Sequence, residues 1–146
     1  MSHKTRILIV DDDPDMRKLL RLALDHARRE IHEADTALGG LQLARDTMPD
    51  IVLLDIGLPG RFDGFTLCEA LVREPAFRDV KVVIISGHNA SEDLDRAGRL
   101  GVEAYVVKPL SPGTLVELVE QLEIPSHEMR VVGVAPGLAD PADQPA

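Results

Sequence analysis

The chain has 146 residues and a mass of 15.9 kDa, with 45% hydrophobic residues. That is the size of one globular domain burying roughly two-thirds of its chain surface, and it excludes a second large domain. Sixteen Lys and Arg against 25 Asp and Glu give a formal charge of −9 and a pI near 4.9, the wrong sign for binding nucleic acid over the whole surface. The single Cys68 excludes an internal disulfide, and no apolar run approaches the ~20 residues that span a bilayer. The first apolar run, Ile7 to Val10, is too short for a signal-peptide core. A soluble, cytoplasmic protein without membrane contact is the expectation.

In chain order, the first predicted strand is Ile7 to Val10. Asp13 as N-cap and Pro14 at the first helical position open a helix, with Met16, Leu19, Leu20, Ala23 and Ala27 on one face. A weak strand, Glu30 to Glu33, precedes a helix capped by Thr36 and carrying Leu38 and Leu41 to about Thr47. Gly39 and Gly40 weaken that helix. Ile51 to Leu54 is the third strand. Phe65 to about Arg73 is a helix with Phe65, Cys68, Leu71 and Val72 inward, which makes Cys68 core rather than chemistry. Val82 to Ile85 follows, then a helix capped by Ser91 through Leu94, Ala97 and Leu100, with Gly101 ending it. Ala104 to Val107 is the fifth strand, and Ser111 and Pro112 open the last helix through Leu115, Leu118, Val119 and Leu122.

The first, third and fourth strands are apolar without alternation, as strands covered on both faces are, and the joins are short. Strand then helix, five times over, predicts an α/β fold: a doubly wound, five-stranded parallel sheet with helices on both faces. The domain is expected over residues 5–123. Residues 124–146 hold four of the ten prolines and read as a proline-rich tail or linker. Within them Met129 to Val134 is apolar enough to dock, at a place the sequence does not name.

In such a sheet, ligands bind beyond the carboxyl ends of the strands. Asp11, Asp12 and Asp13 follow the first strand, Asp55 the third, Ser86 the fourth, and Lys108 and Pro109 the fifth. If the first and third strands are neighbours about 4.8 Å apart, two or three carboxylates converge. Either one takes up a proton or a hard cation joins them. An all-oxygen set with open positions suits Mg²⁺, which keeps waters and recruits phosphate oxygens. Lys108 can reach back as a point charge, completing a phosphate-sized clamp in which a carboxylate could be the nucleophile. Taken singly, these residues have ordinary explanations: Asp13 caps a helix, Asp55 ends a strand, Ser86 precedes a loop glycine, and Tyr105 is a half-buried strand aromatic. Together, each at its own strand end, they point to a site.

Four segments carry a resemblance. They are Ile-Leu-Ile-Val-Asp-Asp-Asp-Pro at 7–14, Ile-Val-Leu-Leu-Asp-Ile at 51–56 with Leu-Pro-Gly and Asp-Gly after it, Val-Ile-Ile-Ser-Gly at 83–87, and Ala-Tyr-Val-Val-Lys-Pro at 104–109. In this order and spacing, residues 5–123 resemble the receiver domain of bacterial response regulators of two-component signalling. The resemblance implies a flavodoxin-like strand order 2-1-3-4-5, and Asp55 as the residue that takes a phosphoryl group from the phosphohistidine of a sensor kinase or phosphotransfer protein. It also implies Mg²⁺ held by Asp11, Asp12, Asp55 and the backbone carbonyl of Gly57. Lys108 would pair with Asp55 or its phosphoryl group, across a cis Lys108–Pro109 bond. Ser86 and Tyr105 would form the switch, Ser86 turning to the phosphoryl group and Tyr105 rotating inward behind it. The altered surface would be that of the fourth helix, fifth strand and fifth helix, through which a homodimer could form. The output is a change of shape rather than a product.

Two departures from the family pattern stand out. The spacing from Leu-Pro-Gly to Asp-Gly is one residue longer, with Arg61 and Phe62 between, and the loop covering the site is expected to be reshaped by it. Gly57 and His88 occupy positions that resemble those tuning phosphoryl lifetime in the family, where Gly57 offers no side chain and His88 could shield or orient water. Two other functions compete. A haloacid-dehalogenase-like phosphatase would use Asp11 and Asp13, but it leaves Asp55 without a task. A receiver fold could also act as an interaction module without phosphorylation. No Gly-rich nucleotide loop is present.

Overall fold

Six parallel strands form one sheet in the order β2-β1-β3-β4-β5-β6, so the chain starts near one side of the sheet, turns back once and then winds steadily to the far edge. The computed structural model describes residues 4–58, 62–87, 91–123 and the backbone of 130–132. The elements are β1 (Thr5–Val10), α1 (Pro14–Leu24), β2 (Arg29–Ala34), α2 (Ala37–Thr47), β3 (Ile51–Asp55), α3 (Gly64–Arg73), a 3-10 turn at Pro75–Phe77, β4 (Lys81–Ser86), α4 (Ser91–Leu100), β5 (Ala104–Val107), α5 (Pro112–Leu122) and β6 (Arg130–Val132). The expected order 2-1-3-4-5 holds. The sheet is extended beyond it by β6, three residues inside the apolar stretch 129–134, which pair with β5 from Ala104↔Arg130 to Val106↔Val132. So short a segment has too few positions to show a strand period.

Alternation along each strand divides the core in two. Ile7, Ile9, Leu53, Val83, Ile85 and Val106 pack under α1 and α5, against Leu20, Leu24, Leu115 and Leu118. Leu8, Val10, Val52, Leu54, Ile84 and Tyr105 face α2, α3 and α4, against Leu41, Leu67, Leu71 and Ala97. The helix signals operate as their chemistry demands. Asp13 accepts a hydrogen bond from the Asp15 N–H, Thr36 accepts one from Gly39, and Pro112 stands at the start of α5. Helix α4 spans Ser91–Leu100. It ends at Gly101, with φ +80.

Four residues expected inside lie at the surface; one of them, Ala27, is exposed because α1 ends at Leu24, short of it. Leu19 is 37%, Leu38 56% and Val72 36% exposed. For Leu38 the reason is Gly40, two residues on. A Cβ on Gly40 would stand 2.9 Å from a Val10 methyl, so α2 approaches the sheet on the line of Ala37, Gly40, Leu41 and Ala44, which turns Leu38 outward. The glycines that weaken α2 as an isolated helix let it pack closely.

Cys68 is fully buried in the α3 face of the core, and burial pushes its thiol up to about 12. An aromatic disulfide reagent at pH 8 should therefore leave Cys68 untouched in the folded protein and titrate one thiol per chain after denaturation. Among the described residues, no helix is long and apolar enough to cross a membrane.

Candidate functional site

The site lies where the chain reverses direction across the sheet, with β1 flanked by β2 on one side and β3 on the other. Register brings the polar residues together. Val10 pairs with Leu54, so Asp11 emerges beside Asp55; Asp55 pairs with Ile85, and Ser86 with Val107, which places Lys108 next in line. Asp11, Asp12 and Asp55 each present an oxygen within 4.8 Å of the others. The Lys108 ammonium lies 3.4 Å from Asp55 Oδ2, and the Lys108–Pro109 peptide is cis.

Each acid has a distinct local setting. Asp55 ends a strand whose five residues are all buried, and its Oδ1 accepts a 2.8 Å hydrogen bond from the Gly57 N–H. Asp12 is exposed. Asp13, the other half of the pair a phosphatase would need, is engaged as the cap of α1. Asp11 is buried; its Oδ1 accepts from the Asp13 N–H at 2.9 Å, while its Oδ2 has no hydrogen-bond partner. Burial, with the nearby charges of Asp55 and Asp12, raises Asp11 from 3.8 to about 6, against the opposing effects of the Asp13 N–H and Lys108. A buried carboxylate oxygen without a donor, facing two further carboxylates, fits a hard divalent cation.

That arrangement has a cost without the cation. A carboxyl with a raised folded pKa is favourable while protonated, and the benefit disappears as pH rises through about 6. Above that, ionised Asp11 destabilises the fold by on the order of 1–3 kcal/mol. In EDTA at pH 8, Asp11→Asn should melt several degrees above the parent, and the gap should close by pH 4, as read by thermal unfolding at both values.

Residues invisible as site components in the sequence support these acids. Arg17, on the first turns of α1, donates from Nη1 to the Asp11 carbonyl at 2.8 Å and pairs with Glu33 of β2 at 3.4 Å, pinning the acidic turn to the sheet edge. Its only sequence signal is a basic residue four positions after the cap. At α3, Asp63 accepts from the N–H and hydroxyl of Thr66. A Cβ on the next residue, Gly64, would lie 2.3 Å from Ile56 Cα and 2.7 Å from the Asp55 carbonyl, so the Asp-Gly pair starts a helix in contact with the backbone that carries Asp55. Phe62, from the lengthened spacing, packs half-buried against the α3 side of the core. Arg61 and His88 lie outside the described residues.

Asp55, Gly57, Phe65, Ser86, Asp93 and Lys108 line an open cleft of about 400 Å³. At its back Tyr105 is fully buried. Burial raises its phenol, partly offset by a hydrogen bond shared with Ser86. Its hydroxyl is thereby tied to Ser86, which lines the cleft.

The family model for the response regulator receiver domain matches residues 7–120. The DNA-binding dual master transcriptional regulator RpaA of Synechocystis is 32% identical over 117 residues, 80% of this chain and 48% of that protein. Response regulator PleD of Caulobacter vibrioides is 35% identical over 120 residues, 80% of this chain and 26% of that protein. The chain thus spans half or less of the length of these curated relatives. The crystal structure of a CheY-like response regulator receiver domain protein from Methanospirillum hungatei has a TM-score of 0.71 at 30% identity, covering 82% of this chain and 94% of that one. With its fold, its strand-end acids and these relatives in agreement, the chain belongs to the response regulator receiver domain family of two-component signalling, a signalling module and not an enzyme.

Proposed function

We propose that this chain is a phosphorylation-dependent receiver, taking a phosphoryl group onto Asp55 from the phosphohistidine of a sensor histidine kinase or phosphotransfer protein. The observation that carries this reading is the meeting of Asp11, Asp12 and Asp55 within 4.8 Å, with an unpartnered Asp11 oxygen on one side and the Lys108 ammonium 3.4 Å from Asp55 on the other. A carboxylate oxygen of Asp55 forms the new O–P bond, the P–N bond of the donor breaks, and its electron pair stays on the imidazole. Asp11, Asp12, Asp55 and the Gly57 carbonyl would hold Mg²⁺, which supplies charge neutralisation at the phosphoryl oxygens when bound. The Gly57 N–H orients the Asp55 carboxylate, and Lys108 meets the charge that grows on the phosphoryl group.

Ser86 and Tyr105 then form the switch. Drawing the Ser86 hydroxyl to the phosphoryl group would break its bond with Tyr105 and free the phenol, so signal would leave by the α4-β5-α5 surface, where a homodimer could form. Gly57 leaves one side of the acyl phosphate without a shielding side chain, and His88 is the complementary candidate for tuning its lifetime. Residues 5–123 would act as the receiver unit in the cytoplasm, with 124–146 as tail or linker, and direct DNA contact, as named for RpaA, would fall outside this chain. Intact mass after incubation with Mg²⁺ and a small acyl phosphate donor tests the reading. One transient phosphoryl adduct, absent in EDTA, is the expected result. No adduct would mean a phosphorylation-independent interaction module, and steady phosphate release from many esters would mean a phosphatase.

A further inference from the structure

Among the described residues, Asp55, Lys108 and Asp93 are the charged residues that line the cleft; the first two carry the transfer and Asp93 has no task in it. Its place follows from the helix period. Ala97, one turn further along α4 and on the same face, is fully buried against the sheet. That face brings Asp93 to the cleft wall, where it is half-buried. Its charge is felt at the back of the cleft, where it helps to hold the Tyr105 phenol above its ordinary range. Among the described ion pairs none includes Asp93. Arg96, the arginine one turn on, is committed to α3, stacked 4.2 Å over the Phe65 ring and 3.3 Å from Glu69. The helix dipole is the ordinary reason for an acid in a first turn, and it suffices for the exposed neighbour Glu92. It does not account for a carboxylate facing the phosphoryl cleft.

We propose that Asp93 is the charge that limits how tightly this site holds a phosphoryl group, standing on the α4 wall of the cleft the group enters and opposing it there. The inference rests on Asp55 being the acceptor. Transfer replaces the single charge of the Asp55 carboxylate by a phosphoryl group carrying about two. Lys108 offsets that charge, and so would a cation on the acids that meet at Asp55. Those acids are Asp11 and Asp12; Asp93 is outside the set, so its carboxylate is left to repel the new oxygens. The repulsion falls on the helix least anchored to the core. Ala97 is the one buried residue of α4, against four in α2 and five in α3, so α4 can yield where its neighbours cannot.

Calorimetric titration with beryllium fluoride, a phosphoryl-like anion, at saturating Mg²⁺ compares the full chain with Asp93→Asn, Asp93→Glu and Glu92→Gln. Asp93→Asn should bind the anion at least about fivefold more tightly than the parent. Asp93→Glu keeps the charge and should bind as the parent does. Glu92→Gln removes a charge from the same helical turn but away from the cleft, and should also leave the affinity unchanged. Equal affinity in the parent and Asp93→Asn would overturn the proposal. A gain in Asp93→Glu or Glu92→Gln equal to that in Asp93→Asn would do the same, since packing, net charge or the helix dipole would then explain it. No binding by any of the four chains would overturn the reading of Asp55 as acceptor, and this inference with it.

Discussion

Asp55→Asn should take up no phosphoryl group, from a kinase or from a small acyl phosphate donor, over a period in which the parent is fully modified. The amide is close to isosteric, so Oδ1 can still accept the Gly57 N–H held at 2.8 Å, but it lacks the anionic oxygen that attacks phosphorus and cannot yield an acyl phosphate. Removing this charge also relieves Asp11, whose proton is held partly by the charge on Asp55. The variant should therefore be folded and no less stable than the parent at pH 8. Intact mass with peptide mapping reads the first effect and thermal unfolding the second. A variant that still gains one phosphoryl group at the parent rate would move the acceptor to another acid and end the present assignment.

The second large effect falls on Lys108→Ala. Its ammonium is the one cation that the structure brings to Asp55 among the described ion pairs, and a charge aimed at the transferring group typically contributes a factor of about 10²–10³ to the rate. Phosphorylation from the small donor should slow by that factor. Mg²⁺ binding, measured by calorimetry, should be retained or tightened, because a positive charge has left the neighbourhood of the acids. Half-exposed as it is, Lys108 can be truncated at little cost to the core. Equal rates in parent and variant would show that the 3.4 Å pair has no part in the transfer.

Both effects concern residues the sequence singles out, and the reason is that strand ends are local events. A run such as Ile-Leu-Ile-Val followed by acids states its own strand and its own terminus, and Asp13 with Pro14 states the start of a helix. Four such segments in order suffice for the parallel sheet, the edge on which the site lies, and the identities of Asp11, Asp12, Asp55, Ser86 and Lys108. Periodicity fails where packing decides between two faces of one helix. Leu38 looks as buried as Leu41 until Gly40 is seen to meet Val10, and only then is the helix's orientation set.

Tertiary structure alone determined what depends on distance through space. Arg17 joins the site because α1 leans across the Asp11 turn toward Glu33, a relation between three separate elements. The orphaned oxygen of Asp11, the enclosed Tyr105 tied to Ser86, and the seat of Arg130–Val132 on β5 are of the same kind. The chain's own order of residues thus determined which chemical groups stand at the sheet's working edge. Their solvation, their mutual approach and the extension of the sheet by β6 were set by burial and strand pairing, which act between parts of the chain that carry no mark of one another.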